Sequence, residues 1–147
     1  MGAEESALLS LECFFNERNK IMRKVISTEK APAAIGPYSQ ANQLGNLIVT
    51  SGQLPIDMAT DAFPEGIEAQ TKASLENVKS ILEKAGSSMD KVIKTTVFLK
   101  NMNDFGAMNG VYATFFTEGN YPSRSAIEVA RLPKDALVEI EAIAYAD

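Results

Sequence analysis

Apolar and polar positions along this chain fall into blocks whose periods assign most of its elements. Over residues 67–85, Leu75, Val78, Ile81, Leu82 and Ala85 recur at helical spacing on one face, with Gly86 placed to cap the end. Residues 92–99 are rich in β-branched side chains, and strand alternation sets Ile93, Val97 and Leu99 on one side and Lys94 and Thr96 on the other. Phe105, Met108, Val111, Tyr112, Phe115 and Phe116 return to a helical period. Asn103 or Asp104 is positioned to cap this second helix, and Gly106 and Gly110 weaken it while allowing close packing. Residues 126–130 and 137–145 read as closing strands joined through Leu132-Pro133-Lys134-Asp135. Nearer the start, Val25-Ile26 is a short strand, residues 38–41 are extended, 42–46 form a turn, and 47–51 form a buried strand ended by Gly52 and Pro55, which together make a hairpin.

Strands grouped around only two helices predict an α+β fold, with both helices layered on one face of the sheet rather than a doubly wound parallel sheet. The last strand is apolar on both sides, because Ile140, Ala142 and Ala144 point one way while Leu137, Ile143 and Tyr145 point the other. A second apolar face needs a cover, and self-association is the economical one.

At 147 residues the chain fits one domain, with 46% apolar residues to build its core. The formal net charge is -5 and the basic residues are scattered, which disfavours nucleic-acid binding. No apolar run approaches the roughly 20 residues that span a bilayer. Residues 1–21 differ in character from the rest and read as an extension or leader, with the folded unit at 22–147. A lone Cys13 precludes an intrachain disulfide and fits a reducing, cytoplasmic compartment.

The absence of histidine removes the Ser-His-Asp relay, the Cys-His pair and His-based zinc sites, and no phosphate-binding glycine motif is present. Catalysis is left to Arg, carboxylates, Tyr, Asn, Ser and backbone groups. The informative segment is Tyr121-Pro122-Ser123-Arg124-Ser125, continuing to Glu139-Ile140-Glu141-Ala142. It sets one arginine beside several carboxylates, and a guanidinium at a strand end offers a rigid, permanently charged fork for a small acidic ligand.

Gly36-Pro37-Tyr38-Ser39-Gln40-Ala41, Thr50-Ser51-Gly52-Gln53, Lys94-Thr95-Thr96-Val97-Phe98-Leu99 and residues 122–144 together resemble the RidA/YjgF family of enamine/imine deaminases, over about residues 24–145. The resemblance implies a chorismate-mutase-like α+β fold, a homotrimer with sites between subunits, and no metal or organic cofactor. The implied reaction is hydrolysis of 2-imino acids and their enamine tautomers, such as 2-aminoacrylate and 2-iminobutyrate, to 2-keto acids and ammonia. Carried over, Arg124 grips the substrate carboxylate and Glu139 orders or activates water. Tyr38, Ser51, Gly52 and Asn109 line the pocket, and the Ala126 carbonyl faces the imine nitrogen. Many bacterial members have cysteine where this chain has Ala126, so no thiol acts there. The Gly119-Asn120-Tyr121-Pro122 link is shorter than in some relatives.

Each assignment has a plainer counterpart. Arg124 pairs with Glu139 or Glu141, Tyr38 is a half-buried aromatic, Asn109 faces solvent, Ser51-Gly52 reverses the chain, and Arg131 and Lys134 flank a turn. Of the two glutamates, Glu141 is the structural choice. The competing functions are a non-enzymatic binder of small carboxylates, a translation inhibitor or ribonuclease-like protein, and a chaperone-like holdase.

Overall fold

The structure, a computed structural model, describes residues 6–7 and 22–147. The expected leader and Cys13 therefore lie almost wholly outside the described residues. Six strands form one sheet: β1 (Lys24–Ile26), β2 (Ala41–Leu44), β3 (Leu47–Thr50), β4 (Val92–Leu99), β5 (Ser123–Glu128) and β6 (Val138–Tyr145), in the spatial order β1-β2-β3-β6-β4-β5. Among residues 22–147, the helices α1 (Ile67–Lys84) and α2 (Phe105–Ala113) complete the α+β architecture. Neighbouring strands are antiparallel except β4 and β5, which run parallel because α2 carries the chain back between them.

The core lies between the helices and one sheet face. Ile48, Val97, Leu99, Val138 and Ile140 from the sheet meet Leu75, Val78, Ile81, Leu82 and Met108 from the helices, all fully buried. Each such side chain contributes roughly 1.5–3 kcal/mol by leaving water. α1 also buries Gln70 and Asn77, which an apolar pattern does not reveal. Gln70 Nε2 donates to the Pro64 carbonyl (3.0 Å) while its Oε1 accepts from Leu137 N–H (2.9 Å). Asn77 Nδ2 donates to the Leu54 and Ile56 carbonyls (3.2 and 2.9 Å), so α1 pins the loop that precedes it. Gly86 adopts φ +78° just past the helix, and Ser87 N–H closes onto the Leu82 carbonyl (2.9 Å), as its capping position predicts.

Five sequence expectations shift. Asn42 to Leu44 belong to β2 rather than to a turn, because Asn42, Gln43 and Leu44 pair with Val49, Ile48 and Leu47 and the reversal tightens to Gly45-Asn46, with Gly45 at φ +60°. Ile93 turns out of the core, since Val92 pairs with Ala144 and Lys94 with Ile143, leaving Ile93 as a bulge residue; Thr95 takes the inward place. Ahead of α2, Asn101 rather than Asn103 or Asp104 supplies the side-chain cap, accepting from Asn103 N–H (2.9 Å) over a short 3₁₀ turn. α2 ends at Ala113, and a Cβ at Gly106 or Gly110 would meet nothing within 4 Å, so these glycines serve no close packing against the described residues. Finally, β5 begins at Ser123 instead of residue 126, which puts Arg124 inside the strand.

Directly paired residues share a sheet face. Arg124, Ala126 and Glu128 pair with Thr95, Val97 and Leu99, and so lie on the helix side. Glu139, Glu141, Ile143 and Tyr145 lie on the other face with Phe98, Thr96, Lys94, Val49 and Leu47. No helix among the described residues covers that face, and it leaves Leu47, Val49, Ile127 and Tyr145 each 40–46% exposed.

Candidate functional site: two half-sites on opposite sheet faces

On the helix side, the Arg124 guanidinium rests against α2. Its Nη1 donates to Asn109 Oδ1 (2.6 Å), and its Cζ lies 4.7 Å from the centre of the Tyr112 ring and 5.3 Å from that of Phe105. Phe105, Asn109 and Tyr112 recur at helical spacing on one face of α2, so a single helix supplies all three contacts. The Tyr112 hydroxyl is 2.6 Å from Thr95 Oγ1, on the β4 residue paired with Arg124. Burial is the main influence on the Tyr112 phenol and raises its pKa, outweighing the Thr95 hydrogen bond and the Arg124 charge, which lower it. A cavity of about 430 Å³ opens here, lined by Asn109, Tyr112, Ala113, Tyr121, Pro122 and Arg124.

The plainer reading of Arg124 as an intrachain ion pair fails, because Glu139 and Glu141 stand on the opposite face of the sheet. The Asn109 side chain bonds Arg124 rather than facing solvent alone. Ala126 presents its backbone outward: Val129 N–H bonds the Leu99 carbonyl (2.9 Å), and alternation then turns the peptide groups of Arg124, Ala126 and Glu128 to the free sheet edge.

The second half-site surrounds Glu139. Between Val49↔Ile143 and Gln53↔Ile140 the β3 side holds one more residue than β6, so Ser51-Gly52 bows out of the sheet. Thr50 Oγ1 stitches the base of the bow by accepting from Ala142 N–H (3.0 Å). Gly52 is required there: a Cβ on it would sit 2.4 Å from Glu139 Oε1. Ser51 Oγ donates to the Ser39 carbonyl (2.6 Å), and the buried Gln40 ties down the facing loop through the Thr28 and Pro32 carbonyls (3.0 and 2.8 Å) and Thr28 N–H (2.7 Å). The resulting cavity of about 420 Å³ is lined by Ile35, Tyr38, Gly52, Leu54, Lys134 and Glu139, among others. Tyr38 is half exposed on its rim.

Burial raises the pKa of the Glu139 carboxyl, and the charge of Glu141 on the same face raises it further. Lys134 and Asp135 both adopt left-handed backbone (φ +54° and +55°), and an Arg131–Asp135 ion pair braces the turn, which places Lys134 on the cavity wall.

The structure thus gathers Tyr38, Ser51, Gly52 and Glu139 in one place, and Asn109 and Arg124 in another with Ala126 two residues further along the same edge strand. It does not join the two groups within one chain. Sequence reasoning missed Thr95, Phe105 and Tyr112 as companions of Arg124, although the spacing of Phe105, Asn109 and Tyr112 on a helix carried that signal. It also missed Gln40, whose role depends on contacts no local pattern encodes.

Comparison with known proteins places this geometry. The family model described as endoribonuclease L-PSP matches residues 28–146. A 2-iminobutanoate/2-iminopropanoate deaminase of Salmonella typhimurium is 56% identical over 125 residues, which cover 84% of this chain and 98% of that protein. The crystal structure of the YjgF gene product from E. coli is similar with a TM-score of 0.80 at 54% identity, over 84% of this chain and 99% of that one. E. coli TdcF with bound serine is similar with a TM-score of 0.79 at 47% identity, again over 84% and 99%. The chain belongs to the endoribonuclease L-PSP family, which is the RidA/YjgF family.

Proposed function

We propose that this protein is a cofactor-independent deaminase that hydrolyses 2-imino acids and their enamine tautomers to 2-keto acids and ammonia. The observation that carries the reading is Arg124: a guanidinium braced by Asn109 and two aromatic rings, open to a cavity, with no carboxylate among the described residues against it. A small acid completes it. The names of close relatives, which are 2-iminobutanoate/2-iminopropanoate deaminases, support the choice of acid.

The chain works as a homotrimer on this reading, with the bare sheet faces packed together and each Arg124 brought opposite the Glu139 pocket of a neighbour. The apolar residues on the uncovered face and the separation of the two half-sites both support assembly. Residues 22–147 are the working domain, residues 1–21 an extension, and the compartment is the reducing cytoplasm.

The chemistry follows from the groups. Arg124 holds the carboxylate of the iminium acid and so orients the C=N carbon. The outward carbonyl of Ala126 accepts an N–H of the iminium and favours that protonated, electrophilic form. Glu139, ionised, takes a proton from a water as it adds to the carbon. The resulting neutral aminol receives that proton on nitrogen; Glu139, ionised again, then takes the hydroxyl proton as the C–N bond breaks, so the C=O forms and ammonia leaves. Tyr38, Ser51 and Gly52 shape the pocket around the substrate.

The description of the family as an endoribonuclease makes RNA the competing ligand. A chain of net charge -5 offers it no general electrostatic attraction, so nucleic acid is not an expected partner. An assay that generates 2-aminoacrylate in place, run on wild type and Arg124→Ala, decides. Turnover by wild type that collapses in the variant is expected. Equal rates in both, or no turnover alongside salt-sensitive RNA cleavage, would remove the deaminase reading.

A further inference from the structure

We propose that Tyr112 and Thr95 act as a positioning pair for Arg124, with Tyr112 presenting its ring face to the guanidinium and Thr95 fixing the rotation of that ring. The inference rests on the reading of Arg124 as the carboxylate clamp and extends it to residues that touch no substrate.

Arginine carries its planar fork on a long, flexible stem, and a fork is useful only when its plane is set before the ligand arrives. Asn109 fixes one end through Nη1. One hydrogen bond leaves the plane free to swing about it. The Tyr112 ring at 4.7 Å and the Phe105 ring at 5.3 Å limit that swing, and they do so without occupying the remaining N–H donors.

The hydroxyl pair beneath the ring has no packing rationale. Tyr112 is 5% exposed and Thr95 1% exposed, so phenylalanine and valine would fill the same space with no polar group to desolvate. What the 2.6 Å contact adds is direction. It ties the ring from α2 to β4 at the residue paired with Arg124, so helix, strand and guanidinium keep one geometry. Burial also keeps the phenol protonated, so Tyr112 offers Arg124 a π face rather than a phenolate that would compete with the ligand.

Titration with pyruvate, a 2-keto acid that does not react further, reads the clamp apart from catalysis, and steady-state kinetics with an imino acid read both. Tyr112→Leu is expected to weaken pyruvate binding about tenfold by removing the ring face, and Tyr112→Phe about threefold by removing only the anchor. Thr95→Val should match Tyr112→Phe, and Thr95→Ser should restore binding. The carboxylate is gripped alike in ground and transition states, so KM rises while kcat stays within about twofold. A folded Tyr112→Leu that binds pyruvate as wild type does, or a loss confined to kcat, would overturn the pair. If Tyr112→Leu does not fold, equal pyruvate affinities for Thr95→Val and Thr95→Ser overturn it as well. A wild type that neither binds pyruvate nor turns over imino acids would instead sink the clamp itself.

Discussion

Arg124 and Glu139 sit on opposite faces of the same sheet, and their surroundings differ in kind. Arg124 is backed by one helix whose side chains touch it directly, with a hydrogen bond and two ring faces setting its plane. Glu139 is enclosed by loops that are held in turn by buried amides: Gln40 ties the 28–37 loop, Asn77 the 54–56 segment, and a glycine makes room for the carboxylate. On the proposed reading the cation is thus prepared for binding in a rigid frame. On the proposed mechanism the carboxylate is prepared for proton transfer, in a partly desolvated pocket that raises its pKa. The division predicts that damage to one half appears in KM and damage to the other in kcat.

The largest effect belongs to Arg124→Ala, which removes a charged fork and should lower kcat/KM on the order of 100-fold or more, chiefly through KM. Steady-state kinetics check it, and a loss confined to kcat would break the division of labour. Glu139→Gln is the converse, with kcat falling about 100-fold at nearly unchanged KM. Because the pKa of Glu139 is raised in the fold, the native state binds its proton more readily than the unfolded chain does. The stability this confers is present at acid pH and lost as pH rises through the raised pKa. Glu139→Gln should therefore melt above wild type at neutral pH and level with it in acid, a comparison that two thermal melts make. Wild-type activity should fall on acidification as the Glu139 carboxylate takes up its proton.

Gly52→Ala tests the room made for the carboxylate. A methyl group 2.4 Å from Glu139 Oε1 must push it aside, so kcat should drop about tenfold with pyruvate affinity preserved. The smallest change is expected from Glu141→Gln. It should alter kcat by less than about threefold while moving the acid limb of the pH profile downward, because the charge that helps raise the Glu139 pKa is gone. An unmoved limb would assign the shift to burial alone.

Much of this frame is legible in the amino-acid sequence. The α1 stripe of Leu75, Val78, Ile81 and Leu82, the Gly86 cap and the bounds of β4 follow from local periodicity, and each is present. The errors arise where pairing overrides local preference. Asn42 and Gln43 read as turn residues but are held in β2 by Val49 and Ile48, and a bulge turns Ile93 outward. The candidate site could be proposed from the sequence as a set of residues but not as an arrangement. Proximity in sequence suggested that Arg124 and Glu139 meet, whereas strand register sends them to opposite faces. Gln40 and Thr95 were illegible as site supports because they act through hydrogen bonds to residues 8 to 17 positions away.

The central claim is that one working site takes Arg124 from one subunit and Glu139 from the next. Co-refolding equal amounts of Arg124→Ala and Glu139→Gln and measuring imino-acid turnover tests it most directly. In randomly mixed trimers about a quarter of the interfaces pair an intact arginine with an intact glutamate, so activity should return to about a quarter of wild type. Turnover no greater than the mean of the two inactive parents would contradict the claim and place both groups in the service of a single chain.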